Sequence, residues 1–279
     1  MCRMAGYIGE PRTLDTLLYE APRSLHEQAH SPGEQLHGTV NVDGTGVAWW
    51  PEHTPGPLRY ATTLPPWSDG NLRELAPHLR ARAMVAAVRG ATPGVAGGRA
   101  AVAPFALGDL AIAHNGWLGG FHDTLLPRLL ADLPAPLVGR MEVLSDSLLL
   151  ALHVAARREP DRALGDTVGA TLRYVAGVCR ELGQAATLNL LVSDGRQLVG
   201  SRASVDGPWN SLYLLTDGGP PWSDGALIAS EPLDGRPWEQ VAPDHLVVVT
   251  PGDASTVPLD LGTPGNPQAG GPSSPPPRR

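Results

Sequence analysis

The chain has 279 residues, room for one large domain or two small ones. Its apolar fraction of 42% supports a sizeable core, and its net charge of −7 argues against nucleic acid or an anionic membrane surface as main partner. All 21 basic residues are arginine, which removes phosphate-loop and Schiff-base lysines from consideration.

Cys2 opens the chain after Met1. Loss of the methionine would put a free α-amine and a thiol on one residue. The amine titrates at about 7.7–8.0 and the thiol at about 8.5, so a base and a nucleophile would come together. A cysteine at position two also arises by chance, and the rest of the chain must decide. Residues 2–8 then predict a first strand, broken by Pro11 and Arg12. Leu14, Leu17 and Leu18 suggest a short helix, and residues 20–36 read as a loop.

Residues 37–50 predict a strand, a turn at Asp43-Gly44 and a second strand. A long proline-rich loop over 51–68 follows. A helix over 72–79 takes Ser68 or Asp69 as its cap. Ala81 to Val88 has the length of a buried strand and ends at Arg89. A glycine-rich loop covers 90–103. A further strand, 106–113, ends at His114-Asn115-Gly116. Residues 118–133 are partly helical, interrupted at Pro127. Two helices follow, one from Ser145-Asp146 to about Arg158 and one over 161–182. The second repeats Leu164, Val168, Leu172, Val175 and Cys179 on one face. From 186 the pattern changes to strands near 187–192, 198–201, 211–215, 226–230 and 245–249. Strands, two adjacent helices, then strands predict an α+β fold of antiparallel sheets with segregated helices. Residues 262–279 are rich in Gly, Pro and Ser and predict a disordered tail.

Cys2 and Cys179 are too few for a disulfide framework, and Cys179 reads as a core residue. The first twenty residues lack an apolar signal core, and no apolar run reaches 18 residues. The expectation is a cytoplasmic protein without a membrane partner. His26, His30, His37 and His53 fall in predicted loops and read as surface residues. Neither a metal nor a cofactor is expected, and Gly94–Gly98 lacks dinucleotide spacing.

Three clusters could carry chemistry. The fork of Arg89, at a strand end near Gly90 and Thr92, suits a carboxylate, although a structural ion pair fits too. The Asn115 amide and the Gly116 N–H can converge on one oxygen, as in an oxyanion hole, although Asn-Gly turns are common. Asp146 caps a helix and could also hold an ammonium. Ser230-Glu231-Pro232 is a weaker, mainly structural candidate.

Together MCRMAGYIGEP at the start, NVDGTG at 41–46, VRGATPG at 88–94, AHNG at 113–116 and SDS at 145–147 resemble class II glutamine amidotransferase domains of the N-terminal-nucleophile hydrolase group. LNLLVSDG at 188–195, ASEPLD at 229–234 and HLVVVT at 245–250 are similar to one branch of it, the γ-glutamyl hydrolases of ergothioneine biosynthesis. The resemblance covers about residues 2–252. It implies a four-layer αββα sandwich, with one such domain over residues 2–258. It implies Cys2 as nucleophile and its α-amine as base, with Asn115 and Gly116 stabilising the oxyanion. It implies Arg89 on the glutamyl α-carboxylate and Asp146 on its α-ammonium, with Thr92 and His114 completing the substrate-binding set.

The chain departs from the family pattern at Thr45, Ala87, Leu148 and Ala103-Pro104-Phe105, which bears on substrate fit more than on chemistry. The implied partner is a small γ-glutamyl substrate whose leaving amine carries a trimethylammonium. Trp49, Trp50, Trp67 and Trp117 are candidates to face that cation. Two rivals remain at this point: a glutaminase subunit that hands ammonia to a separate synthetase, and a non-catalytic γ-glutamyl-binding module. The oligomeric state is not legible.

Overall fold

A computed structural model describes residues 2–52, 54–91, 97–216 and 218–262. Strand β1, Arg3–Thr13, opens the chain. It is followed by a helical turn over Thr16–Glu20 and by helix α1, Leu25–His30. Strands β2 (Thr45–Trp49) and β3 (Leu58–Thr62), helix α2 (Gly70–Leu75) and strand β4 (Arg80–Val88) complete the first part. Strands β5 (Phe105–Leu107) and β6 (Leu110–Leu118) form a hairpin. Helices α3 (Leu126–Ala131), α4 (Ala135–Val138), α5 (Asp146–Ala156) and α6 (Leu164–Glu181) come next. The rest is strand: β7 (Ala186–Ser193), β8 (Leu198–Arg202), β9 (Ser204–Val205), β10 (Tyr213–Thr216), β11 (Gly225–Ala229), β12 (Glu239–Gln240), β13 (His245–Thr250) and β14 (Asp253–Pro258).

One sheet runs β12-β10-β11-β1-β4-β2-β3 and the other β14-β13-β8-β7-β6-β5, with β9 added to β7. The pairings are antiparallel. The sheets face each other. Helices α5 and α6 pack on the outside of the second sheet, and α1 packs on the outside of the first. The period-two alternation of β1 divides its side chains between the layers. Met4 and Ile8 enter the large core shared with the second sheet, while Ala5 and Tyr7 enter the outer core that includes Leu25 and Ala29 of α1. This is the expected antiparallel α+β architecture, in four layers.

Several local expectations are corrected. β1 continues through Pro11 to Thr13, because its pairing with β4 shifts between Ile8 and Arg12 and absorbs the proline. Residues 37–44 are not a strand; Asp43-Gly44 leads directly into β2. The loop expected over 20–36 contains α1, which buries only Leu25, Gln28 and Ala29, too few for a periodic signal. β3 lies within the expected 51–68 loop, and β14 was not expected at all. Both are sheet edges, β3 with mostly half-buried and β14 with mostly exposed side chains, so neither reads as apolar alternation. The strand expected over 106–113 is a hairpin, and β6 continues to Leu118. Pro127 lies in the first turn of α3, where its missing N–H costs nothing. The cap on α2 is Asp69, whose Oδ1 accepts from Leu72 N at 3.1 Å. Cys179 is fully buried, as expected. Of the expected tail only Gly262 lies within the described residues.

α5 carries a buried histidine, His153. Its Nε2 donates to Leu129 O at 3.1 Å, and its Nδ1 accepts from Arg157 Nη1 at 3.0 Å. Burial first, and the Arg157 charge second, lower its pKa from 6.5 to about 4. The unfolded chain therefore takes up a proton below 6.5 that the fold refuses. The stability contribution is full above pH 6.5 and is lost as pH falls toward 4, by about 3 kcal/mol. His153→Gln keeps both hydrogen bonds without titrating. Urea unfolding at pH 7 and pH 4.5 is expected to show a smaller pH loss in the variant, and an equal loss would refute the assignment.

Candidate active site

The candidate site forms where β1 starts and β4 ends, beside the second half of β6 and the start of α5. Cys2 immediately precedes β1, whose first residue, Arg3, pairs with Val88 at the end of β4. Arg89 follows at once and is buried. Its backbone is fixed on both sides: Arg89 N donates to Gly44 O at 2.8 Å, and Asp43 N donates to Arg89 O at 2.9 Å. The Asp43 carboxylate accepts from Ala91 N at 2.7 Å. Asp43, read from sequence only as a turn residue, thus holds the segment that carries Arg89. An acidic side chain in a turn has many uses, so its sequence carries no signal for this one.

β6 brings His114, Asn115 and Gly116. The His114 ring is buried, with Nε2 3.0 Å from Thr187 O and Nδ1 3.0 Å from Ser147 Oγ. A carbonyl only accepts, so Nε2 carries the proton. Burial, the larger effect, lowers the pKa against the opposing Asp146 charge and the Thr187 bond. Nδ1 of the neutral ring is then an acceptor for the Ser147 hydroxyl, whose one hydrogen it shares as a target with Asp146 Oδ1 at 3.3 Å. A side chain at 116 would place its Cβ 1.9 Å from Thr187 O, so the close approach of β7 demands glycine there.

Asn115 points to the other sheet. Its Nδ2 donates to Ser230 Oγ at 3.4 Å, and Met4 N donates to the same oxygen at 3.1 Å. Ser230, a weak candidate in the sequence, links Asn115 to β1 two residues from Cys2. Asp146 begins α5 behind the Ser145 cap. Its Oδ1 accepts from Ser147 N at 2.7 Å and its Oδ2 from Leu118 N at 3.2 Å.

Cys2, Arg89, His114, Gly116, Asp146 and Ser147 line one narrow cleft of about 30 Å³. Five of the seven expected site residues therefore meet there. Asn115 is buried beside the cleft, and Thr92 lies outside the described residues. Larger cavities of about 480 and 500 Å³ lie elsewhere, one at Asp224–Ala226 and Thr250–Ala254, the other beside Trp50 and Arg80–Ala83. Size favours those two. Of the three, the cleft alone holds a thiol with charges of both signs.

The expected tryptophans are not among the cleft's lining residues. Trp49 pairs with Met84, and Trp50 N donates to Ala83 O, so both sit at the middle of β4, well back from Arg89. Trp67 packs against His26 and His30 on α1. Trp117 lies opposite Thr187 on β7.

Two facing antiparallel sheets between helix layers, with a cysteine at the start of the central strand, define an N-terminal-nucleophile amidohydrolase scaffold. Residues 32–221 match the family described as glutamine amidotransferases class-II, and the chain belongs to that family. It is 32% identical over 260 residues to a γ-glutamyl-hercynylcysteine sulfoxide hydrolase of Mycolicibacterium smegmatis, covering 93% of this chain and 100% of that protein. A protein of the same description from Mycobacterium tuberculosis (strain CDC 1551 / Oshkosh) is also 32% identical, over 93% of this chain and 97% of its own length. Among solved structures, a glutamine aminotransferase class-II domain protein from Silicibacter pomeroyi superposes with a TM-score of 0.66 at 22% identity, covering 92% of this chain and 99% of that one. An allosteric regulatory enzyme of purine biosynthesis gives 0.64 at 17% identity, covering 94% of this chain and 50% of that one. These last two likenesses speak to the fold alone. Among the described residues no helix is long and apolar enough to cross a membrane.

Proposed function

We propose that this chain hydrolyses the γ-glutamyl amide of γ-glutamyl-hercynylcysteine sulfoxide, releasing glutamate and hercynylcysteine sulfoxide. One observation carries the reading: Cys2 shares its cleft with a guanidinium, Arg89, and a carboxylate, Asp146. Those charges complement the α-carboxylate and α-ammonium of a glutamyl group, whose γ-carbonyl must then reach the thiol. The full-length similarity to two hydrolases of that substrate supports the choice of leaving amine.

Loss of Met1 frees the Cys2 α-amine, which takes the thiol proton as sulfur attacks the γ-carbonyl. The C–S bond forms and the carbonyl electrons move to oxygen, where the Gly116 N–H and the Asn115 amide stabilise the charge. Collapse breaks the C–N bond, and the amine leaves with the proton. Water, deprotonated by the same α-amine, then attacks the thioester carbonyl; the C–S bond breaks, the thiolate regains the proton from the amine, and glutamate is released. A single domain over residues 2–258 carries these steps. A nucleophilic thiol must stay reduced, and Cys2 and Cys179 are both free, which supports a cytoplasmic setting.

The decisive assay compares turnover of γ-glutamyl-hercynylcysteine sulfoxide with that of glutamine. Preference for the larger amide supports the proposal. Preference for glutamine turns the reading to an ammonia-supplying glutaminase. Asp146→Asn tests the ammonium contact separately. The amide keeps an Oδ1 acceptor for Ser147 N and removes the charge, but it sets its NH2 against Leu118 N, so a melting curve accompanies the kinetics. A lost hydrogen bond to a charged group is worth about 1.5–3 kcal/mol, so kcat/KM is expected to fall by roughly 10- to 150-fold with the circular dichroism unchanged. An unchanged kcat/KM would remove Asp146 from the site.

A further inference from the structure

The turn of helix that was expected as loop carries a second constellation. Residues 26–30 read His-Glu-Gln-Ala-His. On a helix, that spacing sets two imidazoles on one face with the glutamate beside them. The structure makes these residues α1, which corrects the expectation of histidines scattered through loops.

One donor atom each from His26, Glu27 and His30 lies within 4.8 Å of the other two. Glu27 Oε1 is 3.9 Å from His26 Nδ1, and Glu27 Oε2 is 3.5 Å from His30 Nε2. The imidazoles stand edge to face with centroids 5.6 Å apart. Trp67 packs on both, at 6.3 Å from His26 and 5.8 Å from His30, and limits their rotation. The helix beneath is anchored. Gln28 is buried and its Nε2 donates to Arg23 O at 2.8 Å, while Ala29 O accepts from Asn41 N at 2.6 Å.

We infer that His26, Glu27 and His30 form a binding site for one zinc ion, separate from the cleft. Two imidazole nitrogens and a carboxylate oxygen are a donor set that zinc favours, and three protein ligands leave room for water in the fourth position. In the metalloprotease use of this spacing the glutamate is a base and a further ligand comes from elsewhere in the chain. Here the carboxylate lies against both ring nitrogens, and no further His, Cys, Asp or Glu joins the cluster among the described residues. The three side chains therefore hold an ion and do not make a second hydrolase. The site also reaches the cleft: Asn41 hangs on α1, and Asp43, two residues on, holds the Arg89 segment. An ion on α1 stiffens the helix from which that loop is suspended.

The test uses the untagged full chain carrying Cys2→Ala, which removes the competing thiol, and zinc chloride as probe. Calorimetric titration is expected to give one saturable equivalent. His26→Ala and His30→Ala are each expected to weaken it by at least about tenfold, and Glu27→Gln by about tenfold, the lower end of what loss of a supporting group costs a metal site. Zinc should also slow amide exchange across α1 in the parent but not in His30→Ala. His30 is exposed and its removal leaves the core intact, which circular dichroism checks. No saturable binding, or equal affinity in His30→Ala, overturns the site.

Discussion

Cys2→Ala is expected to lower kcat/KM for the γ-glutamyl amide on the order of 10⁶-fold, the size seen when the nucleophile of an acyl-transfer enzyme is removed. The fold should not notice. Cys2 precedes the first paired residue of β1, and its side chain is half-buried at the cleft. Alanine keeps the α-amine, so the variant separates the nucleophile from the base. A companion with one extra residue between Met1 and Cys2 does the reverse, keeping the thiol and displacing the free amine. Both are expected to be inactive and to melt with the parent. Intact-mass measurement must show the parent without its methionine. Residual activity above about one per cent in Cys2→Ala would mean that another group attacks.

The largest effect on stability is expected at Glu231. This buried carboxylate collects four donors from three distant segments. Its Oε1 accepts from Arg3 Nη1 at 3.1 Å and Glu34 N at 3.0 Å, and its Oε2 accepts from Arg23 Nη2 at 3.1 Å and Gly33 N at 2.8 Å. The Arg3 side chain is 0% exposed and that of Glu231 3%. Among the described residues Arg3 Nε and Nη2 are buried without a hydrogen-bond partner, so Glu231 is the one carboxylate bonded to the guanidinium. Burial lowers its pKa against the opposing Glu231 charge.

Glu231→Ala strands that charge. Breaking a buried pair from one side costs about 3–5 kcal/mol. In a domain of this size that lowers Tm by roughly 10 °C. Arg3→Met should cost less, because Glu231 keeps three donors. The double variant should recover part of the loss, since no lone charge is left inside. Additive losses in that cycle, or a cost below about 1 kcal/mol for Glu231→Ala, would show that the pair is not coupled.

The sequence made the fold legible where burial dictated pattern. β4, β7 and α6 are buried on long apolar faces and announce themselves. Edges do not: β3 buries none of its residues fully, β14 exposes most of its own, and α1 buries three. The cleft was legible as residue types at element ends, which is why Arg89, His114, Gly116 and Asp146 could be named together. What it did not contain was the scaffolding. Asp43, Ser147, Ser230 and Glu231 act through bonds to residues far away in the chain. Ser230 reaches Asn115, and Glu231 reaches Arg3, 228 positions distant. The histidines of α1 were missed for the same reason that their helix was: without a helical period, a spacing of four has no geometric meaning.

The position of β1 orders events during synthesis. One neighbour, β4, is made early, but the other, β11, begins at Gly225, and the carboxylate for Arg3 comes later still. At about 5–20 residues per second, the ribosome needs roughly 10–45 s to reach that point. Until then β1 has a partner on one side only. The end of β1 next to Cys2 therefore closes late, once β11 and Glu231 have been made.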